Sequence, residues 1–330
     1  MFSRLIGFMS KTVMTGIVFL VLFSGISYSS FHTRVFDFPD VVLALCGMGL
    51  LMFLWISAGK MPAQRQWIWI ASAGLFFLQL VMIKSLLFCT GWDAGTVWND
   101  AYQAVFGESS GQAVNWAYFD TYPNNRLLLV VLILTLRVCR LVGVSSPHVL
   151  YFLLVVFQCM LLVLTGLILF DMILRHTGQV RRAWFGWIVY AGWIGLSPWL
   201  LIVYSDTLGI LFPMAILWIY FHLSHSKYWI RWLAVGFVSA IGYRMKATCS
   251  IVLIALFLSE FVLCPMLVMC EDSDRRRRRS GILHKVWETI FSLLLVAVCF
   301  LGAGTAVDGA YSHLTKATVN KEGSIGFAHY

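Results

Sequence analysis

Apolar residues in this chain neither alternate nor recur every third or fourth position. They run together in blocks long enough to cross about 30 Å of hydrocarbon. Such blocks fall at about 12–29, 40–58, 67–88, 147–174, 184–203, 206–222, 230–246, 248–269 and 286–307. Backbone polar groups in lipid must pair within their own segment, so each block is predicted to be a helix. The first, preceded by Arg4 and Lys11, reads as a signal-anchor rather than a cleaved leader, because the run is long and another follows soon. No inverted repeat is visible. The pattern divides the chain into two N-terminal spans (1–66) and a larger membrane module (67–330) with one long polar loop, 89–146.

One apolar run, 127–136, is too short to span and is followed at once by Arg137 and Arg140. Charge decides its reading. If 127–142 crosses, the basic residues Arg175, Arg181, Arg182 and the five-arginine run 275–279 fall outside. If it only dips, 15 of the 24 basic residues lie inside, including Lys60, Arg65, Lys227, Arg231 and Lys285. The positive-inside rule favours the dip. The expectation is an all-α polytopic membrane protein of nine spans with a re-entrant or juxtamembrane helix at 127–142. Its N-terminus is cytoplasmic, its C-terminus extracytoplasmic, and its site the plasma membrane. The arginine run is then a topology determinant on a solvated loop, with anionic lipid binding a weaker second reading.

Composition closes off the alternatives. Of 330 residues 60% are hydrophobic and 12% charged, against about 25% charged in a soluble domain. A soluble chain of this size has too little interior for so much apolar side chain. The net charge of +9 therefore reports sidedness rather than nucleic acid. The eight cysteines form no CxxC pair and lie in or beside apolar runs, so they read as small core residues.

The outer loops collect the chemistry. GWDAGTVWNDAYQAVF carries Asp93 and Asp100, seven apart and on one face if helical. NWAYFDTYPNNR carries Asp120, Tyr122, Asn124, Asn125 and Arg126; YSDT carries Asp206; GYRMKATCS carries Arg244 and Lys246. Any single outer aspartate is commonly just solvated, Arg137 and Arg140 can snorkel, and Trp92, Trp98, Trp116 and Tyr118 read by default as an aromatic belt. Asp206 is harder to dismiss, with little polar around it but Ser205 and Thr207. Arg244 and Lys246 point to opposite sides of a helix unless the helix has ended. Lys84 lies within snorkelling reach of the outer surface, and Glu260 in an apolar span reads as packed, protonated or partnered.

An aspartate just past a helix, a Y-P-N-N stretch leading to a dipping helix, a Tyr-x-Asp-Thr turn and a G-Y-x-x-K turn together resemble the multi-span C superfamily of glycosyltransferases. The resemblance covers about 85–330 and is nearest to a bacterial Y-P-N-N branch, more distantly similar to protein O-mannosyltransferases and aminoarabinose transferases. It implies a transferase that uses a polyprenyl-phosphate-linked sugar on the extracytoplasmic face, with a glycan or protein acceptor. It also implies Asp93 and Asp206 as catalytic acids. Arg126 or Lys246 is the phosphate contact, and Asp100, Tyr122, Asn124, Asn125 and Arg244 join the substrate site. Superfamily members usually continue further, so this chain is expected to be incomplete or a short member. No cofactor is indicated, a divalent metal has no ligand spacing to support it, and no nucleic-acid partner is expected. Two rivals stand beside this reading. A transporter or flippase predicts broken helices and deep polar residues; the other rival is a non-catalytic truncated relative.

Overall fold

The computed structural model of the chain describes residues 38–62, 64–88, 91–107, 114–263 and 275–325. Those residues are helical, with no strand among them. They fall into two compact units. One holds the described parts of Met1–Met61 and Phe257–Trp287, the other those of Pro62–Leu256 and Glu288–Tyr330.

The smaller unit contains helix α1, Phe38–Ala58, and a π-helical turn, Leu258–Leu263, that carries Glu260. The expected span at 12–29 lies outside the described residues. The arginine run 275–279 opens a helix rather than occupying a loop.

The larger unit holds the remaining elements. They are α2 Trp67–Leu86, α3 Asp93–Phe106, α4 Trp116–Thr121, α5 Arg126–Leu141, α6 Pro147–Thr177 and α7 Val180–Tyr190. Next come α8 Ser205–Gly209, α9 Leu211–His222, α10 Tyr228–Met245, α11 Ser250–Phe257, which ends in the smaller unit, and the long α12 Arg275–Ile325, which begins there. Four helices are long and apolar enough to cross a membrane among the described residues: Trp67–Leu86, Pro147–Thr177, Ser205–His222 and Val286–Thr315.

Local chemistry sets the limits of α6. Pro147 occupies its first turn, where the missing N–H costs nothing. Gly178 follows at φ +64°, and its N–H caps the Leu174 carbonyl at 2.8 Å. Near that end, Asp171 accepts from Arg65, from Arg175 at 2.7 Å and from the Trp218 indole at 3.0 Å. This fixes the turn before α2 to α6 and α9.

Helix α5 is amphipathic. Leu128, Leu129, Leu132, Ile133 and Leu136 are buried while Val138 and Leu141 are exposed, the spacing of one apolar face. It packs on α3, and the Arg140 guanidinium donates to the Val105 carbonyl there. Its 16 residues, with arginines at both ends, coincide with the helix expected at 127–142.

The apolar block 184–203 is broken. After α7 come a π-helical turn, Ala191–Gly195, then a 3-10 turn, Pro198–Leu201, then extended residues leading to Tyr204. Pro198 cannot continue the helical hydrogen bonding. Buried side chains serve the carbonyls this releases. Gln79 donates to Gly195 at 2.8 Å, Tyr151 to Leu201 at 3.0 Å, and Gln158 to both Leu200 (2.8 Å) and Ile202 (2.9 Å). Non-helical backbone in an apolar setting survives where such partners exist.

Helices α10 and α12 run side by side in the same direction. Tyr228 meets Glu288 and Ser292 at one end, Tyr243 stacks near Phe300 further along, and Arg244 meets Asp308. Gly236 permits the close approach, since a Cβ there would lie 3.2 Å from the Val296 Cα.

Candidate functional site

Five pieces of chain converge at one end of the larger unit: the start of α3, the turn from α4 to α5, the residues after the broken block, the end of α10, and α12 near Asp308. Asp93 sits in the first turn of α3, where helix polarity favours a carboxylate. Its Oδ2 receives the Tyr204 hydroxyl at 3.5 Å, and the Tyr118 hydroxyl reaches it as well.

The Y-P-N-N stretch explains why those hydroxyls point there. Asn124 donates to Asn125 Oδ1 at 3.3 Å, which leaves the Asn125 Nδ2 to donate to the Tyr118 oxygen at 2.9 Å. That Nδ2 can only donate, so the Tyr118 proton is turned to another acceptor. Asn125 is 1% exposed, so the amide is held by packing too.

Burial pushes the Tyr118 phenol well above its ordinary range, and Asp93 adds to the effect. Burial also raises Tyr204; the Asn125 amide and Lys246 pull it down, Asp93 and Asp206 push it up. Both phenols are therefore protonated donors at neutral pH. Tyr204 donates to Asp93 and stands two residues before Asp206, the partner of Lys246, so the segment that carries it connects the two candidate acids.

Asp206 lies in the first turn of α8 and pairs with Lys246 Nζ at 2.5 Å. Helix α10 ends at Met245, and Lys246 is extended at φ −154°. This ending sends Lys246 to Asp206 while Arg244 goes to Asp308 at 3.6 Å. Arg126 donates to the Phe119 carbonyl at 3.0 Å and pairs with Asp120 at 2.9 Å and Asp308 at 3.4 Å. Its guanidinium lies 4.5 Å from the Tyr311 ring centre. The Tyr311 hydroxyl donates to Asp120 at 3.2 Å.

Two apolar clefts flank the cluster. One, of about 370 Å³, is lined by Phe88, Gly91, Trp92, Pro198, Trp199 and Ile202, of which Trp92 directly precedes Asp93 in the chain. A smaller one, of about 100 Å³, includes Val203, Leu208 and Met245 beside Lys246.

Residues 50–330 match a family described as conserved hypothetical integral membrane protein. The chain belongs to this family. Neither the curated proteins nor the solved structures gave a match. The protein is thus an integral membrane protein.

Not every expected site residue of this membrane protein joins the cluster. Asp100 lies on the buried side of α3, 7% exposed, and accepts the Asn115 N–H at 3.1 Å. Burial raises its pKa, and that hydrogen bond lowers it less. Tyr122 is exposed and stands 5.0 Å from the Tyr118 ring. Tyr118, Tyr204, Asp308 and Tyr311 belong to the site although their types gave no signal: two were read as an aromatic belt and a turn residue, and two lie just past an apolar block. Among the described residues, no three His, Cys, Asp or Glu side chains are placed to share a metal ion.

Proposed function

We propose that this membrane protein transfers a sugar from a polyprenyl-phosphate-linked donor to an acceptor hydroxyl, with Asp93 as the general base. The observation that carries this is the junction at Tyr204 of two carboxylates and a lysine drawn from three separate segments. Such a transfer needs a carboxylate to take the hydroxyl proton and cations to stabilise the departing phosphate. Lys246, Arg244 and Arg126 supply the cations within the same cluster. The 370 Å³ cleft beside Asp93 suits an apolar chain in its volume and lining. The nine-span topology, with this end extracytoplasmic and the N-terminus cytoplasmic in the plasma membrane, is part of the same reading, since a lipid-borne donor meets its acceptor at an interface.

The test is a transfer assay. Membranes containing the chain are incubated with labelled polyprenyl-phosphate sugars, and release of sugar from lipid is followed. Asp93→Asn keeps size and polarity but cannot take the proton. The expected rate falls by about 10²–10⁴-fold with insertion unchanged. A wild-type rate in Asp93→Asn removes Asp93 from the mechanism, and a dead Asp206→Asn beside it moves the base there.

A second reading has one observation in its favour. The broken block 191–204 resembles the interrupted helices that line transport sites. It expects the lipid-linked donor or a solute to cross a proteoliposome membrane chemically unchanged, which the same labelled probe distinguishes.

A further inference from the structure

Arg126 and Arg244 come from different helices, at the start of α5 and the last turn of α10, yet both face one carboxylate. Arg126 Nη1 is 3.4 Å from Asp308 Oδ1, and Arg244 Nη2 is 3.6 Å from Asp308 Oδ2. Both distances exceed the about 2.7–2.9 Å of a well-made charge-assisted hydrogen bond. The carboxylate bridges the pair without closing on either guanidinium.

Arg126 is fixed by the Phe119 carbonyl, Asp120 and the Tyr311 ring. Arg244 lies across α12 where Gly304 has no side chain; a Cβ there would collide with its Nη2. The Arg126 half of the two-guanidinium seat is thus built by contacts other than Asp308, and Arg244 reaches it through the space that Gly304 leaves open. A carboxylate offers two oxygens in a plane, whereas a phosphate monoester, the group released from the proposed donor, offers three in a tetrahedral spread and can reach both forks at once.

We infer that Arg126 and Arg244 form a seat for a phosphate group and that Asp308 of α12 is its resident counter-anion, which the incoming phosphate displaces. The inference rests on the reading of a phosphate-bearing ligand at this end and adds a control on it. While Asp308 occupies the seat, only the fraction of molecules in which it has let go binds with full affinity.

The experiment needs no sugar and no turnover. Farnesyl phosphate and, separately, inorganic phosphate are titrated at fixed ionic strength into the full chain in detergent. Asp308→Asn is expected to bind about tenfold tighter than wild type, because exposed pairs of this kind are weak but two act together. Arg244→Gln, which leaves the packing of Arg126 intact, is expected to bind about tenfold more weakly. Tightening for farnesyl phosphate alone assigns the seat to a lipid-borne phosphate; tightening for both assigns it to the phosphate group itself. Equal or weaker binding of farnesyl phosphate by Asp308→Asn, whatever inorganic phosphate does, overturns the inference. These outcomes are separate from the transferase reading. A chain that consumes no sugar donor can still show the displacement, and an active transferase with unchanged Asp308→Asn affinity has no such control.

Discussion

Asp100 is an ionisable side chain kept where an ion is poorly solvated. Its carboxyl is raised above the ordinary value by burial, so its neutral form suits the folded state better than its charged form. For a raised pKa, the stabilising contribution is complete below the ordinary carboxylate value and is lost as pH rises through the folded value. Thermal unfolding in detergent between pH 4 and 8 should therefore show wild type losing ground to Asp100→Asn as pH rises. The amide oxygen still accepts the Asn115 N–H, and each kcal/mol of difference moves the midpoint by about 2–4 °C. Parallel pH profiles for the two proteins would show that Asp100 is ionised without cost. The same residue illustrates what the sequence made legible. Its i, i+7 spacing from Asp93 placed both on α3, but spacing cannot say which face is covered, and the cover comes from Asn115. By contrast Asp93, Asp206 and Lys246 stood out as isolated charges at the ends of apolar blocks. Tyr118 and Tyr204 did not, because their role depends on an amide that points at them from Asn125.

At the scale of elements, the broken block is the instructive case. Hydropathy reads 184–203 as one span because Gly192, Gly195 and Pro198 are few among many apolar residues. The interruption is decided by partners elsewhere: the glutamines of α2 and α6 look like mere interruptions in apolar helices until their acceptors are known. Gln158→Leu fills the same space but leaves the Leu200 and Ile202 carbonyls unpaired. A loss of about 1–3 kcal/mol per orphaned group is expected, visible as a lower unfolding midpoint in detergent. Because Ile202 leads directly to Tyr204, the same variant should also impair any activity that depends on Tyr204. An unchanged midpoint would mean that water or a shifted backbone takes over both bonds. Helix α5 was legible for the opposite reason: a short apolar run closed at once by arginines is a property of its own sequence.

For the whole molecule, the open question is which side each end faces. Four helices meet the length and hydropathy of a span among the described residues, while the proposed nine also include helices with polar or charged positions, such as α10 with Arg231 and Arg244. Under the proposed topology such helices rely on neighbours rather than on hydropathy, which is why composition alone passes over them. Reporter fusions decide the matter. A reporter after Arg279 is expected to be cytoplasmic, and reporters near Gly143 and after Tyr330 extracytoplasmic. A cytoplasmic reporter at Gly143 would turn α5 into a crossing helix and reverse every later loop.

Order of synthesis gives the broken block a further meaning. Gln79, Tyr151 and Gln158, which donate to the carbonyls of Gly195, Leu200, Leu201 and Ile202, all precede those carbonyls in the chain. A chain made from its N-terminus therefore has its donors in place before the segment that needs them emerges. The irregular stretch never has to wait in lipid, uncapped, for a partner still to be translated.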